Sequence, residues 1–294
     1  MTKKINTANA AIKMTKDERI SVYENTIKIV KKGNYVSPLG EEITIQNGDK
    51  MVNGTKFYTK QAHVDFNSLP RFNTKIKVIN KDCLMAAKEL ENPVVLNMAS
   101  FSTPGGGVLR GSAAQEENIF RRTNLFQSLY MFNNIGDNYG IKQKEERYPL
   151  DYNFGGIYTP FVTVFRDSED SAYEYRNEPF TVAVVSVSAL KRPTLTSDNK
   201  LQPWAVKTLK NKVRQILAIA LENGHTNIVL SAFGCGAYGT PPSEMAKIFK
   251  EILQEDNFRG TFENVVFAII DDHNAYNSHN PKGNFKPFKE IFDE

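Results

Sequence analysis

From Lys75 onward, short apolar runs alternate with amphipathic helical stretches, and this alternation restricts the fold more than any other feature of the chain. Ile76-Lys-Val-Ile79 alternates as a strand, and Asp82 is placed to cap a helix over Cys83–Leu90. After the break at Pro93, Val94–Asn97 has the unbroken apolar character of a strand buried on both faces. Phe161–Phe165, Phe180–Ser188, Ile228–Ala232 and Asn264–Ile270 are further apolar strands. A helix is expected from about Gln115, with Ile119, Phe120, Thr123, Phe126 and Tyr130 on one face. Another spans Trp204–Asn223, with Leu209, Val213, Ile216, Leu217 and Ala220 in a stripe and Gly224 at its end. A last one runs from Ser243, its expected cap, to about Gln254. Such a pattern predicts an α/β fold with a mostly parallel sheet covered on both faces. Sheets of that kind bind ligands outside the carboxyl ends of their strands.

Residues 1–74 read as an accessory segment packed on a core of residues 75–294. Ile20, Tyr23, Ile27 and Val30 recur at helical spacing between Thr15 and Lys32, Thr15-x-x-Glu18 forms a capping box, and Gly33 suits the stop. Asn47-Gly48 and Asn53-Gly54 mark turns in a short β-rich stretch. Phe132–Pro160 is polar, aromatic and irregular, and no element is assigned to it. A net charge of +4, from 37 basic and 33 acidic residues, tolerates an anionic ligand without announcing nucleic acid. The opening residues show no signal peptide, and the longest apolar runs, such as Thr181–Leu190, are too short to span a bilayer. With only Cys83 and Cys235, no disulfide framework is available, which fits a soluble protein of a reducing cytoplasm, although an effector exported without a cleaved signal would look the same; a monomer without membrane contact is expected.

Two glycine-rich loops each leave a strand and enter a helix, which sets both on one rim of the fold. Pro104–Glu117 carries Gly105-Gly106-Gly107, where the backbone can approach a ligand closely and its N–H groups can hold an anion. A flexible surface loop is the plainer alternative. Ser112-x-x-Gln115 suggests a capping box, putting Gln115-Glu116-Glu117 in the first helical turn. Adjacent acids there can simply be solvated and favour the helix dipole. Alternatively, one faces the cleft as a general acid, giving a proton to a leaving oxygen at an acetal carbon and later taking one from water. The helix terminus lowers such a pKa, whereas burial, the neighbouring acid and a diphosphate raise it. The second loop, Ser231–Pro242, contains Gly234-x-Gly236-x-x-Gly239, a formal dinucleotide fingerprint. Pro241-Pro242 interrupts the direct helix entry that fingerprint needs, and its late position argues against a standard Rossmann domain. Tyr238 can pack on a ribose or serve as a half-buried aromatic.

The Gly105–Gly107 triplet followed by Gln115-Glu116-Glu117 resembles the signature of poly(ADP-ribose) glycohydrolases, specifically their bacterial-type branch. Ala232–Gly239 is similar to the diphosphate loop of macrodomains. The resemblance extends over about Lys16 to Pro287 and implies a three-layer macrodomain-like fold with a mixed, largely parallel sheet. It implies that Glu117 protonates the ribose leaving oxygen and activates water, that Glu116 holds the ribose, and that Asn97 assists. Gly105, Gly106, Gly107 and Val108 would surround the scissile ribose and diphosphate, beside Gln115. Gly234, Cys235, Gly236, Ala237, Tyr238 and Gly239 would embrace the diphosphate, with Tyr238 on the distal ribose. Asp82-Cys83 resembles the adenine-recognising position, although Asp82 is equally a plain helix cap. Thr103 stands where many bacterial relatives carry Asn.

Other constellations are weaker. Cys235 has no histidine placed by motif to activate it, so a small apolar loop residue is the better reading. Asp271-Asp272-His273 reads as turn and surface residues, and no metal or cofactor is expected. His63, His225 and His279 stand in no recognisable constellation. The expected activity is hydrolysis of O-glycosidic ribose linkages in poly(ADP-ribose) or ADP-ribosylated macromolecules. A module that binds ADP-ribose without turnover, and a nicotinamide-dinucleotide enzyme using Gly234–Gly239, remain as alternatives.

Overall fold

The computed structural model describes residues 14–293, so residues 1–13 of the expected accessory segment lie outside the described residues. Helix α1 (Lys16–Lys32) starts at the capping box of Thr15 and Glu18 and ends at Gly33 with φ +84°. A small hairpin of β1 (Asn34–Val36) and β2 (Glu42–Thr44) follows, then helix α2 (Gly48–Gly54) and strand β3 (Lys56–Tyr58). The remaining elements are β4 (Lys75–Ile79), α3 (Cys83–Ala87), β5 (Pro93–Met98), α4 (Gln115–Arg122), α5 (Phe126–Leu129), β6 (Gly156–Arg166) and β7 (Tyr175–Val187). After these come α6 (Pro203–Glu222), β8 (Asn227–Leu230), α7 (Pro242–Gln254), β9 (Asn264–Ala268) and α8 (Phe285–Phe292).

Seven strands form one sheet in the order β3-β6-β7-β5-β8-β9-β4. The pairs from β7 to β4 are all parallel, whereas β6 runs antiparallel to both β7 and β3. The sheet is therefore mixed and largely parallel, as expected, and β3 from the amino-terminal segment supplies its edge. Alternate residues of one strand enter different cores. Val94 and Leu96 pack with α6, α7 and α8, while Val95 packs with α1, α3, α4 and α5. This makes three layers. Helix α1 is fixed to α4 by a buried bond from the Thr26 hydroxyl to the Arg121 carbonyl (2.6 Å), and to the turn after α5 by Tyr23 donating to Tyr130 (2.8 Å).

Several boundaries differ from the sequence reading for local reasons. Asn53-Gly54 closes a helix rather than forming a turn between strands. The helix after Asp82 stops at Ala87. The expected long helix from Gln115 breaks at Thr123, whose backbone bridges Val164 of β6 and whose hydroxyl binds the Ile119 carbonyl (2.8 Å). Ser112 does not cap α4; Ala114 holds the cap position without a side-chain bond. Ser243 likewise lies inside α7, which begins on Pro241-Pro242, with proline's fixed φ at the first turn. Strands β6 and β7 extend well beyond their apolar centres, and α8 was not foreseen. Part of the unassigned segment folds into 3-10 turns, including Asn134–Tyr139, before β6 begins.

Candidate active site

A cavity of about 760 Å³ opens at the carboxyl ends of the parallel strands, a size suited to a nucleotide-like ligand. Both glycine-rich loops line it, one after β5 and one after β8. The first loop needs its glycines. Gly105 and Gly106 have φ of +77° and +56°. A Cβ on Gly105 would stand 2.6 Å from the Phe120 ring, and one on Gly106 would stand 2.5 Å from Glu117 Oε1 and 2.9 Å from Glu116 Oε2. The backbone thus closes directly over two carboxylates.

Both acids lie in the first turn of α4, and each is held by loop N–H groups. Glu116 accepts from the Ser100 N–H (2.8 Å) and the Gly105 N–H (3.0 Å). Burial, then the adjacent Glu117, pushes its pKa up to about 8, against the lowering effect of those bonds and of the Asn97 side chain. Asn97 donates to Ser186 Oγ (3.0 Å), and its buried Oδ1 finds no donor among the described residues. Glu117 accepts from the Gly107 N–H through Oε1 (2.8 Å), and its Oε2 is buried without a partner among the described residues. The site therefore sets two buried acids side by side, one with its pKa pushed up and one with a carboxylate oxygen that has no partner among the described residues. Gln115 locks the helix start to the end of β5, accepting from the Met98 N–H (2.8 Å) and donating to the Leu96 carbonyl (2.7 Å).

In the second loop, Gly234 has φ +75°, and a Cβ there would stand 2.8 Å from that of Ala189. Cys235 is wholly buried, its thiol pushed well up by burial, which removes it as a nucleophile. Its carbonyl is bound by His279 (2.8 Å) and by the Asn280 amide (3.2 Å), so His279 supports the loop. Asp271 accepts from the Asn284 N–H (2.6 Å) and the Phe285 N–H, fastening the start of α8. Tyr238 is half-buried between Ser100, Phe101 and Ser188. Asp82 both accepts from the Met85 N–H (3.0 Å), capping α3, and pairs with the buried Arg122 (2.7 Å).

Of the residues expected to touch ligand, Asp82, Cys83, Gly106, Gly107, Gln115, Glu116, Glu117, Gly234, Gly236, Ala237 and Tyr238 line the cavity. Asn97, Gly105, Val108, Cys235 and Gly239 do not. Asn97, Val108 and Cys235 are packed behind the wall, at 0%, 1% and 0% exposure. The sequence reading missed Ser100, Lys191 and Ile270, which reach the cavity because they follow β5, β7 and β9. Their one available signal was that position at strand ends. Arg19 also lines the cavity, held by Glu169 (2.6 Å) across from α1.

Residues 23–167 match the family model of the microbial-type PARG catalytic domain. The fold is similar to that of poly(ADP-ribose) glycohydrolase from Thermomonospora curvata bound to the inhibitor ADP-HPD, with a TM-score of 0.75 and 29% identity over 93% of this chain and 99% of that one. A mutant of the same enzyme matches at 30% identity and a TM-score of 0.76, covering 94% of this chain and 100% of that one. The Deinococcus radiodurans enzyme in complex with ADP-ribose matches at 26% identity and a TM-score of 0.67, covering 85% of this chain and 99% of that one. No curated protein matches.

Proposed function

Since this chain belongs to the microbial-type poly(ADP-ribose) glycohydrolase family, we propose that it binds ADP-ribose units and hydrolyses the O-glycosidic ribose linkages of poly(ADP-ribose), with Glu117 as general acid and base. The observation that carries the assignment is the buried Oε2 of Glu117, which has no partner among the described residues, beside a second acid anchored by two N–H groups. In the first step, a carboxyl proton passes to the leaving ribose oxygen as the bond from the anomeric carbon to that oxygen breaks. The carboxylate left behind then takes a proton from water, and the hydroxide adds to the anomeric carbon. Glu116, anchored by two N–H groups, has little freedom to turn and serves to hold the ribose.

Gly106 and Gly107 set the ribose against the acids, and Gly234, Gly236 and Ala237 hold the diphosphate through backbone N–H groups, with Tyr238 against the distal ribose. Asn97, Gly105, Val108, Cys235 and Gly239 act from behind as supports. Asp82 is placed for the adenine end, where its pairing with Arg122 also fixes the wall. Residues 1–74 act as an accessory segment to the core of residues 75–294. We assign the activity to a monomer in the cytoplasm, a setting that fits two buried free thiols. Among the described residues, no helix is long and apolar enough to cross a membrane. Incubation with labelled polymer should release ADP-ribose; intact ADP-ribose binding with no release over long times would leave only a binding module.

A further inference from the structure

Beyond the cleft, the segment that follows β7 carries cations and an aromatic ring that the hydrolytic site does not use. Lys191 lines the cavity, and the Arg192 N–H donates to the Tyr238 carbonyl (2.7 Å), so this arm starts on the second glycine loop. The chain then turns back on itself. Leu195 bridges Leu201 in antiparallel register, and the Thr196 N–H donates to the Lys200 carbonyl (2.8 Å). Arg192 and Trp204 lie three residues outside that bridge, one on each arm. Trp204 is the only tryptophan of the chain and is 50% exposed in the first turn of α6. Lys207 follows one turn later on the same helix face and is exposed. Because α6 joins two parallel strands, it begins at their carboxyl ends, on the rim that holds the cleft.

The side chains of Lys191, Arg192 and Lys207 have no hydrogen-bond or ion-pair partner among the described residues. The nearby acids are engaged: Asp198 pairs with Lys200 (2.5 Å), and Glu244 with Lys247 (3.5 Å). Unpaired cations beside an exposed indole are what a polyanion with stackable bases requires. We propose that Lys191, Arg192, Trp204 and Lys207 form a track that holds the poly(ADP-ribose) chain beside the cleft, with diphosphates on the cations and an adenine on Trp204. The proposal rests on reading the cleft as a polymer glycohydrolase site. The track's continuity with the cavity through Lys191 selects the substrate chain itself over an unrelated nucleic acid.

The test compares long polymer, a two-unit fragment and free ADP-ribose on Arg192→Gln/Lys207→Gln and on Trp204→Ala. The double variant should raise KM for long polymer roughly tenfold and reduce the slope of log KM against log salt by about 1.4, or about 0.7 per lost phosphate contact. Trp204→Ala should raise that KM by roughly fivefold or more. The two-unit KM and the ADP-ribose affinity should stay within about twofold in both variants. Unchanged KM for long polymer, equal weakening toward free ADP-ribose, or single-stranded DNA competing as well as polymer of equal charge would each overturn the track. Anisotropy of labelled polymer on the same variants reads the track independently of turnover. Wild-type binding with the expected losses but no hydrolysis would therefore overturn the hydrolytic reading and leave the track standing.

Discussion

Replacing Gly106 with alanine tests whether the first loop sets the positions of the acids. The added methyl would stand 2.5 Å from Glu117 Oε1 and 2.9 Å from Glu116 Oε2, where ordinary contact begins at 3.4 Å. Relief therefore requires Glu117 to move by about 0.9 Å (3.4 less 2.5) and Glu116 by about 0.5 Å (3.4 less 2.9). Neither is free to move, since N–H groups of Ser100, Gly105 and Gly107 hold them. Alanine at φ +56° adds about 1–2 kcal/mol of backbone strain. Crowding of a packed site typically costs about 1–3 kcal/mol more. A displacement near 1 Å in a reacting group can lower turnover by about 10²-fold. Gly106→Ala should therefore lower kcat on poly(ADP-ribose) by about two orders of magnitude and lower the melting temperature by roughly 4–20 °C, the summed cost of about 2–5 kcal/mol at about 2–4 °C per kcal/mol. Steady-state kinetics with thermal melting reads both quantities. A folded variant with kcat within twofold of the parent would refute the claim that the loop fixes the carboxylates.

Glu116 gives stability a pH signature. Its folded pKa of about 8 lies above the ordinary 4.5, so between those values the native state retains a proton that the unfolded chain releases, and stability falls as pH rises through that window. Urea unfolding at pH 5 and pH 8 should show the parent losing stability relative to Glu116→Gln; parallel curves would mean that the acid is not held neutral. Asp82→Ala removes the cap of α3 and strands the guanidinium of Arg122, which is 0% exposed. The loss should be about 3 kcal/mol, lowering the melting temperature by roughly 6–12 °C. A shift below 2 °C would show that Asp82 is not a structural partner.

The alternating runs from Lys75 onward made the sheet and both glycine loops legible, because each element carries its own period and stop signal. Thr15-x-x-Glu18 and Gly33 marked α1 almost to the residue for the same reason. What failed depended on tertiary partners. The break at Thr123 comes from its bridge to Val164, a residue 41 positions away, which no local pattern encodes. Ser112 matched a cap motif, yet its carbonyl is instead bound by the buried Arg121. Gln115, Glu116 and Glu117 were recognisable as a group, but not which oxygen of which acid would stand unpartnered, since that depends on how Ser100, Gly105 and Gly107 present their N–H groups. Asn97 and Val108 looked like ligand contacts because they sit at the right place in the chain, and burial removes both from the cavity wall.

The central claim is that Glu117 exchanges the proton, and single-turnover hydrolysis by Glu117→Gln beside Glu116→Gln tests it most directly. Gln at 117 keeps the size and the bond from Gly107 but has no acid proton, so the rate should fall by at least about 10²–10⁴-fold. ADP-ribose affinity, measured by calorimetry on the same preparation, should barely change, because the diphosphate loop is untouched. Glu116→Gln should instead disturb ribose positioning, with an equal loss only if orientation is very demanding. Parental rates in Glu117→Gln would contradict the assignment. Activity retained there but abolished in Glu116→Gln would move the proton transfer to the other carboxylate.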